Sequence, residues 1–179
     1  EQFVADAFRN EMGITSPLAP VDLVAVGPDC GRDAALKDDG RAIRAVTAYL
    51  RSLLPLAPAG PATLTGQALF IEAGCGVCHR PVLSGRNGEA APLYSDLLLH
   101  DLGSSLNDGV VQANAGGAEW RTTPLWGLHA RSRLLHDGRA TSVTEAILAH
   151  DGEGAQAAQN FRALLPTERQ SLLSFLDAI

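Results

Sequence analysis

The chain has 179 residues, 46 % of them hydrophobic, and a formal net charge of −6. That length holds one domain, or one domain with a substantial extension, and the apolar share is enough for a packed core. The acidic balance argues against a nucleic-acid partner, and no apolar run reaches the roughly 18 residues that a membrane-spanning helix needs.

The chain opens on Glu1-Gln2-Phe3, with neither an initiator methionine nor a signal segment, as expected of a processed chain or one cut from something longer. Val4, Phe8 and Met12 share a face of a predicted helix over Phe3 to Met12, and Gly13 is its stop. A Pro/Asp/Gly-rich loop from Thr15 to Gly40 carries Cys30, the odd cysteine, which is either a buried thiol or the partner of a cysteine elsewhere. The next helix, Arg41 to Leu54, sets Ile43, Val46, Leu50 and Leu53 on one face and ends at Pro55. The stretch from Pro55 to Pro61 is a linker by composition. It divides a helical extension, residues 1–60, from a domain over 61–179.

That domain begins with a predicted helix, Thr65 to Ala73, capped by Thr63 or Thr65, with Leu64, Ala68 and Ile71 on one stripe and Gly74 as its end. Directly after it stands Cys75-Gly76-Val77-Cys78-His79. This C-x-x-C-H pentapeptide is the attachment signature of a c-type haem. The two thiols are spaced to form thioethers with the two vinyl groups, and the histidine is placed beneath the ring as an iron ligand. A zinc site would need a second close pair of ligands, and Cys30 has no companion. A thioredoxin-type pair would follow a strand, not a helix. The motif therefore implies one covalent haem c and an extracytoplasmic compartment, periplasmic or equivalent, where such attachment takes place.

A polar stretch follows to Pro92, then Leu93 to Leu102 with Tyr94 and His100, then Arg121-Thr122-Thr123-Pro124-Leu125-Trp126-Gly127 and His136-Asp137-Gly138-Arg139. Ser142 and Glu145 form a capping box for a helix on which Val143, Ala146, Ile147 and His150 share one face, with Gly152 as its end. A last helix starts near Thr167, with Gln170 completing a second box, and carries the stripe Leu172, Phe175, Leu176 and Ile179. β signals are sparse. The expected fold is all-α: short helices around the haem, long Gly/Pro-rich loops, and first and last helices of the domain crossing through Leu69, Phe70, Leu172 and Phe175.

The sixth position on the iron has five candidates: Met12, His100, His129, His136 and His150. Of the histidines, only His150 lies on the apolar face of a predicted helix, where an imidazole must find a partner. Arg121 and Trp126 are candidates for contact with a propionate or the ring edge. His136, at the start of a tight Asp-Gly turn, suits a structural or propionate-binding role. The Pro81 carbonyl, or one near it, is a candidate acceptor for the other ring nitrogen of His79.

From Gly66 to Ile179 the chain resembles the C-terminal haem domain of the bacterial di-haem cytochrome c peroxidase and MauG superfamily, in particular its di-haem, thiol-oxidoreductase-type branch. The resemblance rests on Gly74 to Pro81, Tyr94 to Gly103, Glu119 to Gly127, His136 to Ala140 and Glu145 to His150, in that order. Ala7 to Thr15 resembles the stretch before this domain. In the superfamily's peroxidases the axial Met lies fourteen residues beyond the histidine of the His-Asp-Gly motif, and in MauG a Tyr stands there. Counted from His136, that position is His150. The resemblance thus implies bis-histidine ligation by His79 and His150, and a lower potential than a Met ligand gives.

Relatives in this superfamily carry two haems, and this chain has one C-x-x-C-H. The expected function is low-spin electron transfer, as the relay half of a peroxidase-like di-haem oxidoreductase, with a redox protein or a second haem domain as partner. The alternative is a haem enzyme in its own right, with a displaceable sixth ligand and His100 or His136 lining a distal pocket. No calcium-binding loop is recognisable among the scattered Asp and Asn residues.

Overall fold

The computed structural model describes residues 1–21, 35–54, 56–112 and 114–179; Cys30 lies outside them. The chain divides into two units, Glu1–Leu54 and Pro55–Ile179. It is mainly helical, with two small hairpins that the all-α expectation did not include.

In the first unit, α1 (Gln2–Met12) ends at Gly13, which adopts the left-handed conformation expected of it (φ 64°). Helix α2 (Arg41–Ser52) is started by Asp38, whose carboxylate accepts from the Gly40 and Ala42 N–H groups. Val4, Ala5, Ala19 and Ile43 form the core of this unit, with Phe8 and Val46 against it. The apolar stripes run out toward their ends: Met12, Leu50 and Leu53 are exposed.

The second unit holds α3 (Leu64–Glu72), α4 (Val143–Leu148), α5 (Ala155–Ala163) and α6 (Pro166–Ala178). Its strands are β1 (Leu83–Ser84) with β2 (Ala90–Ala91), and β3 (Leu99–Asp101) with β4 (Glu119–Arg121), both pairs antiparallel. The core joins α3 to α6 through Leu69, Phe70, Leu172, Phe175 and Leu176, and adds Phe161 from α5. The four residues expected at the helix crossing are all in it.

The α3 stripe is a correction. Leu64 and Ile71 are exposed, and the buried face is Gly66, Leu69, Phe70 and Ala73. The helix is apolar almost all round, so periodicity cannot choose its inward face. Gly66 chooses it, because a Cβ there would fall 2.5 Å from the Phe175 Cβ and inside contact with the Ser171 carbonyl oxygen. Thr63 caps the helix, its hydroxyl accepting from Gly66 N–H.

The caps of the last helices differ in detail from expectation. Ser142 accepts from the Glu145 N–H, but the Glu145 carboxylate accepts from Thr141, one residue earlier than a capping box requires. Helix α6 starts at Pro166, and Glu168 accepts from the Leu165 N–H at 2.8 Å. The box expected of Thr167 and Gln170 does not form, because Pro at the first helical position already sets the start. Helix α5 went unread in the sequence: its Ala/Gln-rich run shows only Ala158 and Phe161 as inward residues.

Candidate functional site

Within the second unit lies a cavity of about 470 Å³, in the range of small-molecule and cofactor pockets. Phe70, Leu106, Leu125, Leu128 and Leu134 give it apolar walls, and Cys75, Cys78, His79 and His150 all line it. Val143, Ala146 and Ile147 of α4 line it too. This face of α4 borders the cavity while Val143 and Ile147 also pack against the core, and the helix ends at Leu148, two residues before His150 and earlier than the expected stop at Gly152.

The C-x-x-C-H segment leaves α3 at Gly74 and turns through a single 3₁₀ turn, Cys75–Val77. The turn brings the His79 ring 6.5 Å from Phe70, centre to centre. Nδ1 of His79 donates to the Tyr94 carbonyl at 2.9 Å. The acceptor is thus Tyr94, not Pro81, whose carbonyl instead accepts from the Tyr94 N–H. Tyr94 holds this pose at a left-handed φ of 51°, its ring packed edge-on against Phe70 and Phe175. Burial pushes the His79 pKa down, which favours the neutral imidazole. With the proton on Nδ1, the lone pair is on Nε2.

His150 mirrors this arrangement. Its Nδ1 donates to the Ala146 carbonyl, one helical turn back, at 2.8 Å. The two imidazoles stand 6.5 Å apart, centre to centre. Two metal–nitrogen bonds of about 2.0 Å and two half-widths of an imidazole add to roughly 6 Å. The pair is therefore spaced to hold one metal ion between them, each ring fixed from behind by a backbone carbonyl.

Cys75 and Cys78 are not joined to each other in a disulfide. Burial pushes Cys75 up to about 11, and burial with the Asp96 and Glu153 carboxylates pushes Cys78 up. Reactive redox cysteines show the opposite shift. An apolar cavity, two desolvated thiols on its wall and two Nδ1-tethered imidazoles fit a covalently attached haem. His79 and His150 would hold the iron, and Cys75 and Cys78 the vinyl carbons.

The remaining candidates separate. Met12 is exposed on the first unit, and His129 does not line the cavity. Arg121 lines it, while Trp126 is half-buried and lies outside the lining. The tryptophan at the cavity is Trp120, not Trp126. It stacks on His136 with ring centres 3.7 Å apart and planes 10° apart, and its Nε1 donates to the Leu106 carbonyl. Trp120 pairs directly with His100 across β3 and β4, a pairing that these three-residue strands do not announce in the sequence.

His100 is engaged at both nitrogens. Nδ1 donates to Glu153 at 2.9 Å and Nε2 to Asp96 at 3.0 Å. The Cys78 sulfur lies within 4.8 Å of ligand atoms on Asp96 and His100, close enough for a metal site, but the imidazole–carboxylate hydrogen bonds already account for that clustering. The Glu153 bond, then Asp96, raises the His100 pKa. The His100 bond and the Asp101 N–H hold Glu153 below its usual range; burial works against the same direction at Asp96, where the Leu98 N–H and His100 prevail. A raised folded pKa means that the His100 contribution to stability is complete below about pH 6.5 and lost as pH climbs through the folded value. The lowered carboxylates contribute above about pH 4 and lose their share on acidification. The melting temperature is therefore expected to fall as pH rises above about 6.5 in the parent protein, and His100→Gln should flatten that slope. An identical slope in thermal melts of both proteins would remove His100 as its source.

No curated protein matches the chain significantly. Among solved structures, a Kuenenia stuttgartiensis hydrazine synthase chain, determined under xenon pressure, is similar in fold, with a TM-score of 0.56 at 22 % identity. The match covers 76 % of this chain and 55 % of that one, so this chain spans little more than half the neighbour's length. Residues 59–179 match the family described as "Di-haem oxidoreductase, putative peroxidase". That span takes in both histidines, both cysteines and well over half of the chain, which therefore belongs to the di-haem oxidoreductase family.

Proposed function

We propose that residues 61–179 form a cytochrome c domain that carries one covalent haem c and works as an electron relay, with residues 1–60 as a helical extension. The observation that carries this reading is the facing pair His79 and His150, 6.5 Å apart across an apolar cavity, with each Nδ1 committed to a backbone carbonyl. Such a pair favours a six-coordinate, low-spin, bis-histidine iron. Haem c bound there supplies one-electron redox chemistry.

The chain's own residues do the rest. Cys75 and Cys78 anchor the macrocycle, and Phe70, Leu125 and Leu128 keep water from one side of it. The carbonyls of Tyr94 and Ala146 fix ring orientation and raise the donor strength of both histidines. Arg121, exposed at the cavity, is available to pair with a propionate. Membership of a di-haem family supports a second haem domain or a redox protein as the partner. Covalent haem attachment supports an extracytoplasmic location, and among the described residues no helix is long and apolar enough to cross a membrane.

A peroxidase-like enzyme would need a polar group free to act above the iron. His100 is bonded at both nitrogens and His150 stands close to His79, which supports the relay as the better of the two readings. The ferric haem protein is expected to show a low-spin spectrum that peroxide leaves unchanged. His150→Ala should turn it high-spin, and a low-spin spectrum persisting in that variant would reject His150 as the ligand.

A further inference from the structure

His79 and His150, two of the four histidines that line the cavity, are not anchored independently. One short stretch, residues 94–101, reaches both. At its start the Tyr94 carbonyl accepts from His79. Ser95 is fully buried, its hydroxyl donating to the Thr122 carbonyl and accepting from the Leu97 N–H, which pins the stretch to β4. Asp96 then accepts from His100 Nε2, and His100 Nδ1 donates to Glu153, three residues beyond His150. The second Glu153 oxygen accepts from the Asp101 N–H at 3.0 Å.

The turn after His150 is pressed onto the same stretch. Gly152 has a φ of 52°, and a Cβ on it would fall inside contact with the Asp101 carbonyl and 2.8 Å from the Gly103 nitrogen. A Cβ on Gly103 would in turn meet the Asp151 side chain. Backbone thus lies against backbone here, and Glu153 closes the contact with two hydrogen bonds. His150 lies two residues past the end of α4, where its N–H donates to the Ile147 carbonyl and its Nδ1 to the Ala146 carbonyl, and α4 itself has only six residues. A helix that short has little stability of its own. Movement of His150 away from the cavity has to carry the 151–153 turn with it.

We propose that Asp96, His100 and Glu153 form a latch that sets how readily His150 leaves the iron, and so whether the sixth position opens to an external ligand. This inference rests on His150 being that ligand. His100 and Glu153 are positioning residues: with the latch closed, His150 stays in place and the centre only passes electrons. With the latch broken, the turn is free to swing out, and a small anion reaches the metal. Both bonds of His100 join a ring N–H to a carboxylate, the stronger class of hydrogen bond. Loss of one is enough to shift an open–closed equilibrium by about tenfold.

The test is cyanide binding to the ferric haem protein, followed by stopped-flow absorption. In the parent protein, binding at saturating cyanide is limited by departure of His150. Glu153→Ala, a change at a half-exposed side chain, is expected to raise that limiting rate at least tenfold while the resting spectrum stays low-spin. His100→Ala should do the same. Glu153→Gln, which keeps an acceptor for the Asp101 N–H, should restore part of the slow binding. His150→Ala is the reference, expected to be high-spin and to bind cyanide without the limiting step. Limiting rates in Glu153→Ala and His100→Ala within twofold of the parent, alongside a fast His150→Ala, would overturn the latch and leave the ligand assignment standing. A His150→Ala protein that stays low-spin and binds cyanide as slowly as the parent would overturn the ligand assignment, and the latch with it.

Discussion

Gly66→Val is expected to cost the second unit about 3 kcal/mol or more, at or beyond the upper end of overpacking penalties. In an ordinary exposed helix position the exchange of Gly for a residue with a side chain is favourable by up to about 1 kcal/mol. The sign reverses here because the space is taken. A Cβ on Gly66 would sit 2.5 Å from the Phe175 Cβ, and the Ser171 carbonyl oxygen is closer still. Both are fixed to the α6 backbone, so no side-chain rotation relieves the clash and the helices must part. Phe70 and Phe175, whose rings are 5.5 Å apart, would separate with them. Even Gly66→Ala should destabilise, by about 1–3 kcal/mol. That is a large share of the roughly 5–15 kcal/mol that holds a domain folded. Ala68→Gly, on the exposed face of the same helix, should lose only the propensity difference of about 1 kcal/mol. Denaturant melts of the three variants decide the matter, and a Gly66→Ala protein as stable as its parent would refute the close crossing.

Gly66 also shows where sequence reading loses its grip. The existence and ends of α1 and α3 were legible to within two residues, since each has its own stop or cap, Gly13 for one and Thr63 with Gly74 for the other; the start of α6 was legible as closely, but from a Thr167–Gln170 box that does not form beside the Pro166 that sets it. The inward face of α3 was not legible, because Leu64, Ala68 and Ile71 are as apolar as the residues that are buried. The ends of the site were readable for chemical reasons. Cys75, Cys78 and His79 are a contiguous motif, and His150 shares a stripe with Val143, Ala146 and Ile147, all now found on the cavity wall. What lay between was hidden. Trp120 and Glu153 reach the site through strand pairing and a turn–turn contact, so their partners are far apart in the chain. Strands of two or three residues are too short to leave an alternating pattern. The acceptor for His79 was misread for a related reason: a left-handed Tyr is a sterically unfavoured conformation that no local sequence signal announces.

His150→Met is expected to raise the reduction potential of the bound haem by roughly 0.1–0.3 V, a part of the range of about 0.8 V that axial ligands span. The parent side chain is a strong donor for a reason visible in the structure. Its Nδ1–H is given to the Ala146 carbonyl, which pushes electron density toward Nε2 and favours the oxidised metal. A thioether has no second nitrogen to be polarised, and a Met sixth ligand raises the potential. Room for the exchange exists: the site faces a cavity of about 470 Å³, and Met is an unbranched, adaptable side chain. The close neighbour behind the ring is Gly154, whose missing Cβ would stand 3.0 Å from the His150 Cβ. That contact concerns the Cβ shared by both residues, so the substitution leaves it as it is. The Ala146 carbonyl loses its partner, but it borders a helix terminus where other donors are near. Potentiometric titration of the two proteins gives the answer directly. Equal potentials, with both spectra low-spin, would mean that the residue at position 150 is not on the iron, and that the pairing of His79 with His150 across the cavity serves packing alone.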